Sequence, residues 1–281
     1  MGDKLYEILL FSIITGLIYM LMATGFNIVL GVAKIVNLAY GAQMILTAYI
    51  ASTLLSILPL PLALALAILA STAVGGVIWI IMWIFRRDLV LSIVSSIAIA
   101  LLIEGLILKI YGSRLLSLVI ATGDIWGISS QWVVAAVISI ASLSFYHVIT
   151  GHTMLGKKMA AVAENEDLAR YMGINVRLVG ISSFLISSLM ASIASIAITP
   201  LYAIYPHIGW YYLTLVLAIV VIGGLGSAVG AMASSMILSF SQSLASYYIG
   251  SPAKDLIPLV VLVSTLMLKP EGIFGRGVRW A

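Results

Sequence analysis

Nine apolar runs, each bounded by a polar stretch, make up most of this chain. They are Leu9–Leu30, Ala39–Ile57, Pro61–Phe85, Leu89–Tyr111, Trp132–Thr150, Val179–Thr199, Tyr211–Gly224, Ala228–Tyr248 and Leu256–Leu268. A helix needs about 20 apolar residues to cross a bilayer's hydrocarbon. Backbone amides in lipid must be paired inside their own segment, which leaves the helix as the spanning element for runs like these. The expected fold is all-α: a polytopic transmembrane helical bundle, with residues 1–281 as one domain. The seventh and ninth runs are short. Tyr211–Gly224 reads equally as a half-helix or a re-entrant segment, so eight and nine spans both stand. The first run has no small-residue cleavage site after it and reads as a retained span.

Composition supports lipid as the main solvent. Apolar residues make up 63% of the chain and charged residues 9%, against roughly 25% charged in soluble domains. With no cysteine, disulfides, thiol nucleophiles and thiolate metal sites are excluded. A net charge of +4, spread over loops, is no nucleic-acid footprint. His147, His152 and His207 are scattered, and no acid pair, nucleophile–base set or metal-ligand cluster appears. An enzyme is therefore not expected, and neither is a cofactor or a metal.

Orientation follows from lysines and arginines beside the span ends. With the loop Gly151–Leu178 in the cytoplasm, that side receives Lys34, Arg86, Arg87, Lys157, Lys158, Arg170, Arg177, Lys269, Arg276 and Arg279. The other side receives Lys4, Lys109, Arg114 and Lys254, a split of ten to four. The N-terminus is then outside and the C-terminus cytoplasmic. Trp126, Trp132 and Trp210 fall at outer span ends and Trp83 near an inner one, where amphipathic rings settle.

Gly151–Leu178 itself holds seven of the chain's 14 basic and 10 acidic side chains. Its start, Gly151-His152-Thr153-Met154-Leu155-Gly156-Lys157, has the spacing of a phosphate-binding loop. Lys158 follows where a magnesium-binding Ser or Thr belongs, so no nucleotide site is read here. Lys157–Tyr171 reads as a short amphipathic helix with Met159, Val162, Ala163, Glu166 and Ala169 on one stripe. Gly173 falls just past its end, where glycine accepts a left-handed backbone. The segment is either a docking helix for a cytoplasmic partner or a solvated loop with one helical turn.

Ala163-Glu164-Asn165-Glu166-Asp167-Leu168-Ala169, with Gly173-Ile174, resembles the coupling loop of ABC-importer permeases. Gly16-Leu17-Ile18-Tyr19, Ala23-Thr24-Gly25-Phe26-Asn27, Ile35-Val36-Asn37-Leu38-Ala39-Tyr40-Gly41, Tyr49, Val221-Ile222-Gly223-Gly224-Leu225-Gly226-Ser227 with Gly230-Ala231, and Lys269-Pro270-Glu271-Gly272-Ile273-Phe274-Gly275-Arg276 resemble, in chain order, the branched-chain amino-acid permeases of the LivH type. Two positions depart from that pattern: Tyr40 stands where histidine is common, and Glu104 is an acid in a usually less polar helix. The resemblance implies an importer subunit of the cytoplasmic membrane. Its partners would be two ABC ATPase subunits, a second non-identical permease and an extracytoplasmic binding protein. Coupling would fall to Ala163, Glu164, Glu166, Asp167, Leu168, Ala169, Gly173 and Ile174.

Polar residues inside spans mark candidate pathway positions. They are Asn27, Asn37, Gln43 and Glu104. Lys109 is five residues from Glu104 and off its helical face, so a partner on another helix is expected. Gly223, Gly224, Gly226 and Ser227 break the helix near the cytoplasmic face, either as a tight turn or as a gate. Tyr202, Tyr205 and His207 form an outer loop. Uptake of urea or short amides, and ion-coupled secondary transport through Glu104, remain alternatives.

Overall fold

In the computed structural model, which describes residues 2–86, 88–125, 128–250, 252–269 and 272–273, helices follow one another along almost the whole chain. They are α1 (Gly2–Val32), α2 (Tyr40–Leu55), α3 (Leu60–Phe85), α4 (Leu89–Tyr111), α5 (Ser130–His152), α6 (Met154–Glu164), α7 (Glu166–Tyr171), α8 (Val176–Ile198), α9 (Ile208–Gly223), α10 (Ala228–Tyr248) and α11 (Ala253–Leu268). Strands β1 (Asp124–Ile125) and β2 (Ile128–Ser129) form a small antiparallel hairpin before α5. The hairpin is an addition to the all-helical expectation, which its two short strands leave otherwise intact. Trp126, Arg87, Pro270, Glu271 and Phe274, Gly275, Arg276 and Arg279 lie outside the described residues.

Among the described residues, six helices are long and apolar enough to cross a membrane: α1 from Ile8 onward, α3, α4, α5, α8 and α10. The helices α2 and α9 have 16 residues each, about 24 Å at 1.5 Å per residue, less than the roughly 30 Å of hydrocarbon. The first of them, α2, begins deep in the bundle. The Tyr40 hydroxyl donates to the Met22 carbonyl of α1 at 2.9 Å, and its ring meets Phe26 edge-on at 5.5 Å. Irregular backbone therefore lies inside the bundle before α2, where Ile35, Asn37 and Ala39 are buried. That is tolerated where protein, not lipid, surrounds it.

The innermost helix is α8, which packs against α1, α2, α3, α5 and α6. Hydrogen bonds explain how a serine-rich helix can occupy the core. The Gln43 amide donates to the Ser71 carbonyl at 3.1 Å, and the Ser188 hydroxyl donates to Gln43 Oε1 at 3.3 Å. The Thr47 hydroxyl meets Ser71 Oγ at 2.8 Å and Ser192 Oγ at 3.3 Å. Ser195 donates to the Met44 carbonyl at 2.6 Å. All of these side chains are buried, and together they pin α2, α3 and α8. In a medium without water an unpaired hydroxyl or amide is costly, so a satisfied set fixes register.

Glycine permits a close crossing of α2 and α9. A Cβ on Gly41 of α2 would lie 2.0 Å from the Gly209 carbonyl oxygen of α9, a backbone atom that cannot rotate away. Gly105 on α4 has nothing within 4 Å of that position. Gly41→Ala is therefore expected to cost about 1–3 kcal/mol through overpacking, whereas Gly105→Ala is expected to gain up to about 1 kcal/mol from helix propensity. Thermal unfolding of the two variants in the same detergent checks this: Gly41→Ala must melt lower than the parent and Gly105→Ala must not.

Candidate functional site: a deep cavity and an opposing polar platform

The polar loop forms a platform at one end of the bundle. The single helix expected over Lys157–Tyr171 is instead two, α6 and α7, broken at Asn165. That residue is extended at φ −152° and ψ 108°, and its side chain accepts from the amides of Asp167 and Leu168. Asparagine competes with the helical backbone through such local bonds, which is why it caps rather than continues. The end of α7 is a two-bond glycine cap: Gly173 donates to the Arg170 carbonyl at 2.9 Å and Ile174 to the Ala169 carbonyl at 3.0 Å. Gly173 has φ +80°, a conformation L-residues rarely hold.

Met159, Val162 and Ala169 are buried toward the bundle, while Glu164 and Asp167 face solvent. Leu168, Tyr171 and Met172 stand out at 55%, 89% and 76% exposure, an apolar tip around the cap. Ile174 packs against the core. Glu166 anchors the platform sideways. Its carboxylate accepts from Arg86 at the end of α3 at 2.9 Å and from Arg170 at 2.6 Å. The Arg86 guanidinium stacks over the Trp83 ring at 3.7 Å, and Trp83 leans on Trp79 at 4.8 Å. Trp79 in turn fills the space beside Gly180 of α8. Partial burial would raise the Glu166 carboxyl, but hydrogen bonding and charge from Arg86, with Arg170, outweigh it and hold the group below its ordinary value.

Asn27 and the glycine turn come together above the platform. Asn27 Oδ1 accepts from the Gly226 amide at 2.9 Å. Gly224 and Gly226 have φ of +93° and +81°, and Ser227 caps α10 by accepting from Gly230. Gly223–Ser227 is therefore formed as a tight turn between α9 and α10. Asn27, Gly31, Tyr146, Met159, Ala163 and Gly226 enclose a space of about 170 Å³. Sequence spacing gave no reason to join these residues, yet they share one cavity wall. Asn37 is elsewhere, closing a turn onto the Ala39 amide at 3.1 Å. Gln43 belongs to the buried lock of α2, α3 and α8.

Glu104 has the inter-helical partners its position called for. It accepts from the Trp210 indole at 2.8 Å and pairs with His207, joining α4 to the start of α9.

At the end opposite the platform a cavity of about 740 Å³ opens, inside the range of roughly 300–1,000 Å³ usual for small-molecule sites. Its wall is shared by α1, α9, α10 and the starts of α5 and α11, and it reaches down to Tyr19 and Tyr212. Phe11 stacks on Trp132 at 4.6 Å, and Trp132 meets Tyr202 edge-on at 6.4 Å. Gln242 donates to the Tyr211 hydroxyl at 3.3 Å and to the Lys254 carbonyl at 3.0 Å. Tyr19, Tyr211, Gln242, Lys254 and Asp255 were not among the expected pathway positions. One signal was available: Ser239, Gln242, Ser243 and Ser246 repeat at three-and-four spacing and put one polar stripe on an apolar helix, and all four line this cavity. Among the described residues there is no group of three or more potential metal ligands.

The comparisons with known proteins agree with this architecture. LivH, the high-affinity branched-chain amino acid transport system permease protein of Salmonella typhimurium, is 24% identical over 93% of this chain and 92% of its own. The probable branched-chain amino acid transport permease protein LivH of Methanocaldococcus jannaschii is 27% identical over 100% of this chain and 94% of its own. The ribose import permease protein RbsC of Haemophilus influenzae is 26% identical over 87% of this chain and 80% of its own. PsaBC from Streptococcus pneumoniae, solved in complex with Fab, shares the fold at a TM-score of 0.56 and 13% identity, over 93% of this chain and 91% of that one. Residues 8–266 match the family described as branched-chain amino acid transport system / permease component, and the chain belongs to that family of multi-pass membrane permeases.

Proposed function

We propose that this chain is one of two non-identical membrane subunits of an ABC importer. It passes branched-chain or other hydrophobic amino acids inward across the cytoplasmic membrane, driven by two separate ATPase subunits and supplied by an extracytoplasmic binding protein. The observation that carries this reading is the platform: an exposed apolar tip of Leu168, Tyr171 and Met172, held on a glycine cap and braced by Glu166 to α3. Exposed apolar patches ringed by charge are what a protein partner covers. In this reading nine segments cross the bilayer, with α2, α9 and α11 shorter than the rest, the N-terminus is outside, and the platform and C-terminus are in the cytoplasm. Lysine and arginine counts support the same direction.

On this reading ATP binding draws the motor subunits together, and the platform moves with them. Two contacts carry the motion inward. One is Glu166–Arg86, which leads to Trp83, Trp79 and α8. The other is the wall shared by Met159, Ala163, Asn27 and Gly226. A partner shifts the balance between outward-open and inward-open forms only if it binds them unequally. With the far end taken as the outer one, the cavity there and the closed, packed section around Met22, Phe26 and Tyr40 support an outward-open assignment.

Sugar uptake is the second reading. Aromatic walls with hydroxyl and amide groups also suit a pentose, and ribose permeases are among the relatives. ATP-driven uptake of labelled leucine and ribose by the purified, reconstituted complex separates the two. Leucine accumulation supports the first reading, and ribose accumulation alone replaces it.

Two predictions follow from the platform. No atom lies within 4 Å of a Cβ built on Gly173, so the cost of substitution is backbone strain alone, about 1–2 kcal/mol for an L-residue in this conformation. Uptake per ATP hydrolysed should fall in the order Gly, Asn, Ala, Val, reaching about a tenfold loss at Gly173→Val, with the protein still in the membrane. Normal coupling in a well-expressed Gly173→Val variant would remove the cap from the mechanism.

For Glu166, the depressed carboxyl means its clamp contributes at pH above the ordinary carboxylate value of 4.5 and is lost as pH falls through the lower folded value. Glu166→Gln at neutral pH should therefore lower uptake while ATP hydrolysis continues, and Arg86→Gln should do the same. Their double variant should be no worse than either single one, as a coupling cycle measures.

A further inference from the structure

Lys254 and Asp255 are adjacent residues of opposite charge in the first turn of α11, and both line the 740 Å³ cavity. Neighbours in a helix do not face one another, and the ion pairs among the described residues involve other side chains. Neither charge has an ion-pair partner among the described residues. The two have different surroundings. The Lys254 ammonium is 5.1 Å from the Tyr202 ring centroid. The Asp255 carboxylate lies beside the Tyr211 hydroxyl. Gln242 holds this turn in place by donating to the Lys254 carbonyl and the Tyr211 hydroxyl together.

The same wall also carries apolar and aromatic side chains, Phe11, Trp132, Ile198 and Ile208. The chemistry is that of a molecule carrying one cation and one anion at one end and a hydrocarbon body at the other. A neutral sugar needs neither charge, and a 2-oxo acid leaves the carboxylate of Asp255 without a partner.

We propose that the mouth of this cavity binds the zwitterionic head of an aliphatic α-amino acid, with Asp255 facing its ammonium, Lys254 its carboxylate, and the Phe11–Trp132 wall its side chain. The proposal rests on the importer reading and assigns its substrate site to residues away from Asn27, Asn37, Gln43 and Glu104. Charge pairs at a partly desolvated rim gain strength over pairs in bulk water, and charge-assisted hydrogen bonds reject a ligand that lacks the matching group.

The test uses the assembled transporter in lipid nanodiscs without its binding protein. A diazirine analogue of leucine is photo-crosslinked, with leucine, its 2-oxo acid and leucinamide as competitors. Adducts are expected on peptides of α1, α9 and α10 that line the cavity. Leucine should compete about tenfold better than either analogue. Asp255→Asn should remove the preference over the 2-oxo acid and leave the preference over leucinamide, and Lys254→Gln should do the reverse. Asp255→Glu and Lys254→Arg should restore both preferences.

ATP-driven leucine uptake by the same complex in proteoliposomes keeps the two levels of inference apart. Uptake with adducts elsewhere, or with both preferences unchanged in the variants, overturns the site and leaves the importer standing. Absence of amino-acid uptake by the parent complex overturns the importer reading, and the site with it.

Discussion

The buried lock among α2, α3 and α8 is the constraint on which the rest of this bundle depends. Between helices surrounded by lipid there is little hydrophobic gain from association, because the solvent is as apolar as the side chains. Close packing and hydrogen bonding must supply what water expulsion supplies in soluble proteins. Gln43, Thr47, Ser71, Ser188 and Ser192 satisfy one another at 2.8–3.3 Å, and none has water as an alternative. Their geometry fixes the depth at which α2 begins. The contact of Gly41 with Gly209 then sets where α9 can cross. The start of α9, with Ile208, Tyr211 and Tyr212, forms part of the wall of the large cavity.

Polar side chains thus play three different parts in one apolar chain. In the lock they fix register. In Glu104 with Trp210 and His207 they tie α4 to the start of α9, where broken helix geometry exposes backbone ends. At the cavity mouth, Lys254 and Asp255 are left without ion-pair partners of their own among the described residues. Residue type does not separate these parts. Gln43 and Gln242 are both glutamines inside spans, yet one is fully occupied between three helices and the other positions the rim of a cavity.

That distinction also explains what could be read from the sequence. Helix boundaries come from local runs, so Leu89–Tyr111 and Ala228–Tyr248 are found where hydropathy put them. The left-handed backbone at Gly173 follows from a short-range pattern as well. The break at Asn165 was missed because the hydrophobic stripe continues through it: Met159, Val162 and Ala169 are buried on both sides. A local capping bond overrode the period. The cavity was less legible still. Its polar atoms come one or two at a time from several helices, and only the stripe on α10 leaves a trace in one dimension. The hairpin of β1 and β2 is two residues per strand, too short for any alternation to register.

α1 joins the two ends of the molecule. Tyr19 is in the floor of the large cavity and Asn27 in the wall of the small one. Eight residues separate them, about 12 Å along a continuous helix. Between them Met22 and Phe26 pack against Tyr40, and the Tyr40 hydroxyl is tied to the Met22 carbonyl. Within the importer reading, opening toward the platform requires this section to come apart, and the fully buried Tyr40 ring has no open space to swing into. α1 and α2 must separate as bodies. The Asn27–Gly226 bond gives the α9–α10 turn a hold on α1 just below that section, and the platform helix α6 shares the same wall. Within the importer reading, a push at the platform acts on α1, which with α5 and α10 lines both cavities, close to the contact that keeps them apart.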